Sequence, residues 1–225
     1  MKGKAYLVSV GPGDPELMTL KALRTIEHCS VIAYPKKENN IALDIVKGEI
    51  CLDGKILLPL EFTMSRSEDV RLESYRVNAR ILSEYAEKGM DVALINLGDV
   101  SVFSTAAYLI DPLKNLGIES VMIAGVTSFN AIASRLGISL TDMNEPLHII
   151  PAGDENITES LKLKGTRVIM KSGKRLDMVL SEIRKAGLKD KTYMVSDCGM
   201  ETEKIYRDID EITDAGYFST FVIKE

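Results

Sequence analysis

Short apolar runs that stop at glycine or proline alternate with helix-patterned segments along most of this chain, and that alternation constrains its fold more than any other feature. Ala5-Tyr6-Leu7-Val8-Ser9-Val10 ends at Gly11 and reads as a strand buried on both faces. Leu20, Leu23 and Ile26 follow at helical spacing within 19–28, and a second buried strand over 31–34 closes at Pro35. The pattern continues with a short helix over 41–50 and a strand over 55–60. A charged helix over 67–88 places Leu72, Tyr75, Ala79, Leu82 and Ala86 on one face. A strand over 92–97, a helix over 104–116 stopped by Gly117 and a strand over 120–124 complete the first half. This order predicts an α/β fold with a mostly parallel sheet covered on both faces.

The second half predicts helices over 129–136 and 176–186 and strands over 147–150, 167–170 and 193–196. It ends with segments 203–207 and 218–223, expected to pair with each other as antiparallel strands. Two α/β domains are expected, 1–124 and 125–225, with mostly parallel or mixed sheets. At 225 residues either can bury a working core. A formal net charge of −5 and a pI near 5.3 argue against broad nucleic-acid binding, which needs a basic face. Three cysteines without a C-x-x-C pair, beside only His28 and His148, argue against a zinc site or a disulfide framework. No leader precedes the first strand, and no apolar run reaches the roughly 18 residues of a membrane helix. A cytoplasmic protein is expected, with no membrane or nucleic-acid partner.

Three predicted strands end in glycine turns that carry small polar groups. Gly11-Pro12-Gly13-Asp14-Pro15 has Glu16 where a dinucleotide fingerprint needs its third glycine, and two prolines that lack the N–H groups of a phosphate cradle. Its plainer reading is a tight turn, with Asp14 or Thr19 capping the next helix. Leu97-Gly98-Asp99 lets backbone approach a ligand, with Asp99 as partner for an ammonium or a ribose, or as a helix cap. Ala124-Gly125-Val126-Thr127-Ser128 repeats the arrangement, with Thr127 or Ser128 as ligand contact or cap. Each is weak alone. Three at carboxyl strand ends, where open α/β sheets bind ligands, suggest one convergent site.

Together these loops resemble the tetrapyrrole methylase family. The resemblance spans nearly the whole chain. It is carried by Val10-Gly11-Pro12-Gly13-Asp14-Pro15-Glu16-Leu17-Met18-Thr19-Leu20-Lys21-Ala22-Leu23 and by Ile32-Ala33-Tyr34-Pro35. Phe103-Ser104-Thr105, Gly125-Val126-Thr127-Ser128-Phe129, Glu145-Pro146-Leu147 and Tyr217-Phe218-Ser219-Thr220 are most similar to members that methylate C20 of precorrin-2 or cobalt-precorrin-2. The resemblance implies two α/β domains, S-adenosylmethionine as methyl donor in a cleft between them, a corrin-precursor substrate and a homodimer. It places Pro12, Leu97, Gly98, Asp99, Val102, Thr127, Ser128, Met170 and Gly199 against the cofactor, the last two flanking adenine. Asp14 faces the substrate, where it or a water serves as the base. The chain departs from the family where Val100 follows Gly98-Asp99 in place of proline and where Ala124 precedes Gly125 in place of proline.

The sulfonium methyl is already a strong electrophile and a reduced meso carbon an electron-rich nucleophile, so alignment is the main task. It can supply roughly 7–11 kcal/mol. Arg66, Lys171, Lys174 and Arg175 are candidates for the substrate's carboxylates, each with a solvated surface charge as its plainer reading. Arg71, Arg76 and Arg80 read instead as a helix face paired with Glu68, Glu73 and Glu84. His148 reads as a hydrogen-bonded core residue, His28 as a helix-terminal charge and Cys198 as packing. Competing readings are methylation of another corrin carbon, RNA methylation, a cofactor-binding sensor and a nicotinamide oxidoreductase.

Overall fold

The computed structural model describes every residue except Asp214, Ala215 and Tyr217. It divides into two compact units, 1–127 and 128–225, so the division falls between Thr127 and Ser128, against an expected boundary after Ala124.

The N-terminal unit is one five-stranded sheet in the order β3-β2-β4-β1-β5, built from β1 (Ala5–Ser9), β2 (Val31–Pro35), β3 (Ile56–Leu60), β4 (Val92–Asn96) and β5 (Ser120–Ile123). Every pairing is parallel. The apolar runs have no polar face because both faces are covered, as a parallel sheet requires. Ala5, Leu7, Val92 and Leu94 pack with Tyr75, Ala79, Leu82 and Ala86 of α3 (Glu68–Glu87) and Leu113 of α4 (Ile110–Asn115). The alternate residues Val8, Ala93 and Ile95 pack with Ala22 and Ile26 of α1 (Leu20–His28) and Ile45 and Val46 of α2 (Ile41–Glu49). Pro59 is tolerated because β3 is an edge strand.

The helix expected over 104–116 is broken. A 3-10 turn over Ala106–Leu109 precedes α4, which restarts at Ile110. Pro112 then lies in the first turn of α4, where its missing N–H leaves no bond unmade. Arg76 pairs with Glu73 at 3.3 Å, as the helix-face reading expects. Arg71 instead donates to the carbonyls of Ser65 and Arg66.

The C-terminal unit carries a mixed sheet in the order β6-β7-β10-β8-β9, from β6 (Leu147–Pro151), β7 (Thr166–Met170), β8 (Thr192–Ser196), β9 (Lys204–Tyr206) and β10 (Ser219–Ile223). Its helices are α5 (Ser128–Leu136), α6 (Ile157–Ser160) and α7 (Leu176–Lys185). The pairing expected between 203–207 and 218–223 does not occur: β8 lies between them and is antiparallel to both β9 and β10. Burial explains the order. Every residue of β10 is buried, so it takes the centre, whereas Lys204 and Ile205 of β9 are exposed and suit an edge.

Candidate functional site

The strand order of the N-terminal unit sets where a ligand can bind. The chain leaves β1 over β4 toward β2, and leaves β4 over β1 toward β5. The two connections run in opposite directions, so the sheet has its switch point between β1 and β4, and the loops that follow these strands flank the crevice. Those loops hold Gly11 to Asp14 and Leu97 to Asp99.

The loops are joined to one another. The Gly98 N–H donates to the Gly11 carbonyl at 2.6 Å within an isolated antiparallel bridge, and both glycines have positive φ, 82° and 76°. Asp99 is buried, and its Oδ2 accepts from the Gly125 N–H at 2.7 Å. Its Oδ1 accepts from the Ser101 N–H at 2.8 Å and from the Ser101 hydroxyl. Burial alone would raise the Asp99 pKa. The hydrogen bonds from the Ser101 hydroxyl and from the Gly125 and Ser101 amides outweigh it and hold the carboxyl below its ordinary value. Asp99 is therefore a carboxylate buckle between the β4 and β5 loops, with three donors on its oxygens. The helix-cap role weighed for it falls away, since Ser104 Oγ accepts from the Ala106 N–H instead. Gly125 has to be glycine: a Cβ there would sit 2.4 Å from Ser9 Cβ.

Pro12 is buried in the first loop. Asp14 is half-buried, and its Oδ1 accepts from the Glu16 N–H at 3.0 Å to cap the 3-10 turn over Pro15–Leu17. Thr19 caps α1 by accepting from Ala22 N–H and donates to the Ala124 carbonyl at 3.3 Å, tying the first loop to the third. The Val102 N–H donates to the Asp99 carbonyl at 3.2 Å. Among the described residues, Thr127 Oγ1 is buried with no hydrogen-bond partner. Arg66 lies in the segment that follows β3. It is exposed, and β3 is an edge strand with β2 between it and β4.

In the C-terminal unit, Ser128 opens α5, and Met170 and Lys171 stand at the end of β7. Because β10 runs antiparallel to β7 and β8, its first residues share an edge with their last ones. The Ser172 amide and hydroxyl both donate to the Ser219 carbonyl, at 3.3 and 2.7 Å. Phe218, Ser219 and Thr220 of the motif near the C-terminus are thereby brought beside Lys171; its Tyr217 lies outside the described residues. Lys171 and Asp197, which follow β7 and β8, are both left-handed, with φ of 60° and 50°. Lys174 and Arg175 are exposed and line an open depression of about 580 Å³ together with Asp177 and Thr213. The Gly199 N–H is held by Glu203 Oε2 at 2.6 Å, and Arg135 of α5 lies 3.3 Å from the same oxygen. Cys198 is buried, and burial pushes its thiol up to about 12, as suits a packing residue. His148 shares a hydrogen bond with the Lys164 carbonyl at 2.9 Å but is only half-buried. His28 ends α1, 3.2 Å from Asp91.

Sequence reasoning passed over Ser9, Ser101 and Glu203, all of which hold candidate site residues in place. The available signal was Ser9, a hydroxyl inside an otherwise apolar strand run. Nothing in the sequence pairs Glu203 with Gly199 rather than with solvent.

Residues 4–213 match the family model of the Tetrapyrrole (Corrin/Porphyrin) Methylases. This chain belongs to that family. A probable cobalt-precorrin-2 C(20)-methyltransferase of Methanocaldococcus jannaschii is 35% identical over 184 residues, covering 80% of this chain and 77% of the relative. The cobalt-precorrin-2 C(20)-methyltransferase of Salmonella typhimurium is 29% identical over 235 residues, covering 100% and 98%. The solved structure of a uroporphyrin-III C-methyltransferase from Thermus thermophilus, complexed with S-adenosylhomocysteine, has the same fold. Its TM-score is 0.75 at 20% identity, with 99% of this chain and 98% of that one covered. The residues of this tetrapyrrole methylase fit a nucleoside-bearing ligand on two counts. A Cβ built on Gly98 would meet none of the described residues within 4 Å, which leaves room for close backbone approach. Thr127 offers a buried hydroxyl whose hydrogen-bonding capacity is unspent among the described residues.

Proposed function

We propose that the protein methylates C20 of cobalt-precorrin-2, or of metal-free precorrin-2, with S-adenosylmethionine as donor, in cobalamin biosynthesis. The observation that carries this reading is the end-to-end likeness to the Salmonella typhimurium C(20)-methyltransferase. The buckled glycine loops agree with it. When bound, S-adenosylmethionine supplies an electrophilic methyl group, so the protein's work is binding and alignment. Pro12, Leu97, Gly98 and Val102 shape the loop edge against the ligand, and Asp99 holds that edge through Gly125 and Ser101. Thr127 supplies a hydroxyl to the nucleoside, with Ser128 beside it, and Met170 and Gly199 serve the adenine. Asp14 accepts the proton released from the methylated carbon. Lys171, Lys174, Arg175 and Arg66 receive substrate carboxylates, as basic side chains pair well with them. The working form is a cytoplasmic homodimer, which sedimentation as a monomer at micromolar concentration would overturn.

The test is mass spectrometry of the macrocycle after anaerobic incubation with S-adenosylmethionine, offering the cobalt and metal-free substrates in parallel, with NMR of the product. A product one methyl heavier, substituted at C20, is expected. Substitution at a different carbon would assign another corrin methylation. No transfer to either macrocycle, in protein that binds S-adenosylhomocysteine, would overturn the substrate assignment.

A further inference from the structure

We infer that Ser9 is a positioning residue for the cofactor loop, acting through the amide of Val100; this rests on the methyl-transfer reading above. Ser9 is the last residue of β1 and is fully buried, and its Oγ accepts from the Val100 N–H at 2.9 Å. Val100 directly follows Asp99, whose carboxylate holds the Gly125 amide at 2.7 Å, and Gly98 on the other side donates to Gly11 at 2.6 Å. The segment Gly98-Asp99-Val100 is thus held residue by residue, to the loop after β1, to the loop after β5 and to β1 itself.

The Ser9 side chain also fills the space that a Cβ at Gly125 would need, 2.4 Å away. Serine at 9 and glycine at 125 are one steric fit. Proline, expected at position 100 from the family resemblance, would lock φ and carry no N–H. Valine leaves a buried amide that needs an acceptor, and the Ser9 hydroxyl supplies it. The Val100 side chain is itself 1% exposed, packed in the core on the α3 and α4 side of the sheet. A hydrogen bond and a buried side chain therefore take over the restraint that the proline ring would provide.

Ser9→Ala, Ser9→Cys, Val100→Pro and the Ser9→Ala/Val100→Pro pair test this. The readouts are calorimetric affinity for S-adenosylhomocysteine, the split of KM for S-adenosylmethionine against kcat, and Tm. Ser9→Ala should weaken binding by about tenfold, the scale of one unpaired buried amide, and raise KM more than it lowers kcat. Ser9→Cys, near in volume but a weaker acceptor, should fall between Ser9→Ala and the wild type. The pair should bind better than the product of the two single effects, because proline removes the amide that alanine leaves unpaired. Wild-type affinity in Ser9→Ala, or independent single effects, would overturn the inference. A wild-type protein that does not bind S-adenosylhomocysteine would instead sink the methyl-transfer reading, and the cofactor role of Ser9 with it. Coupling in Tm would then show the bond to be structural only.

Discussion

Both units hold a glycine N–H with a carboxylate, but the two clamps do different things. In the N-terminal unit Asp99 takes the amide of Gly125, 26 residues away, at 2.7 Å. In the C-terminal unit Glu203 takes the amide of Gly199, four residues away, at 2.6 Å. The first bond ties the end of one strand to the end of another and so fixes the spacing of two loops. The second closes a local turn, anchored to α5 by Arg135. A long-range clamp sets the shape of a site, and its loss frees loops that only tertiary structure held together. A local clamp sets the shape of one turn, which the chain can partly recover without it.

The largest expected effect on cofactor affinity follows from breaking the long-range clamp. Asp99→Ala should weaken S-adenosylhomocysteine binding by at least about tenfold, or ~1.4 kcal/mol, in calorimetry. Unchanged affinity would mean that the glycine loops are not the cofactor edge. Gly125→Ala attacks the same clamp sterically and should cost about 1–3 kcal/mol of stability in denaturant unfolding, as overpacking does. Asp14→Asn should lower kcat by roughly the 10²-fold or more that a general base contributes, leaving S-adenosylhomocysteine affinity near wild type. Equal kcat would remove Asp14 from proton transfer.

Glu203→Ala should cost about 1 kcal/mol in Tm-derived stability and much less than Asp99→Ala in affinity. A loss equal to that of Asp99→Ala would erase the distinction between the two clamps. The smallest effect concerns pH. The folded-state pKa of Asp99 is depressed, so its stabilisation is present above the unfolded-state value near 3.9 and is lost as pH falls through the folded value. The stability gap between wild type and Asp99→Asn should therefore stay constant from neutrality to about pH 5 and close only below the usual carboxylate range. A gap that closed between pH 6 and 8 would point to another titrating group.

Much of the fold was legible because burial writes itself into composition. A parallel strand covered on both faces must be largely apolar, and 5–10 and 92–97 are so apart from Ser9 and Asn96 near their carboxyl ends. The errors lie where a partner decides. Segment 104–116 has helical spacing, but Pro112 forces the helix to restart at Ile110. Segments 203–207 and 218–223 each read as strands, yet no local pattern says that β8 stands between them. The candidate residues Gly98, Asp99 and Thr127 were visible as polar groups at strand ends. The supporting contacts were not: Ser9 stands out as a hydroxyl in an apolar run, but nothing in the sequence pairs it with the Val100 amide, and Glu203 is an ordinary loop glutamate until Gly199 is known to be its partner.

The sequence by itself determined the alternation of strands and helices, the positions of the three glycine turns and the family to which the chain belongs. These depend on local periodicity and on motifs continuous along the chain. Tertiary structure alone decided the strand order that puts the β1 and β4 loops side by side, and the bonds from Asp99 to Gly125 and from Val100 to Ser9. Those bonds join residues that are distant in sequence, and only when the sheet has assembled do buried donors and acceptors have one another as partners instead of water.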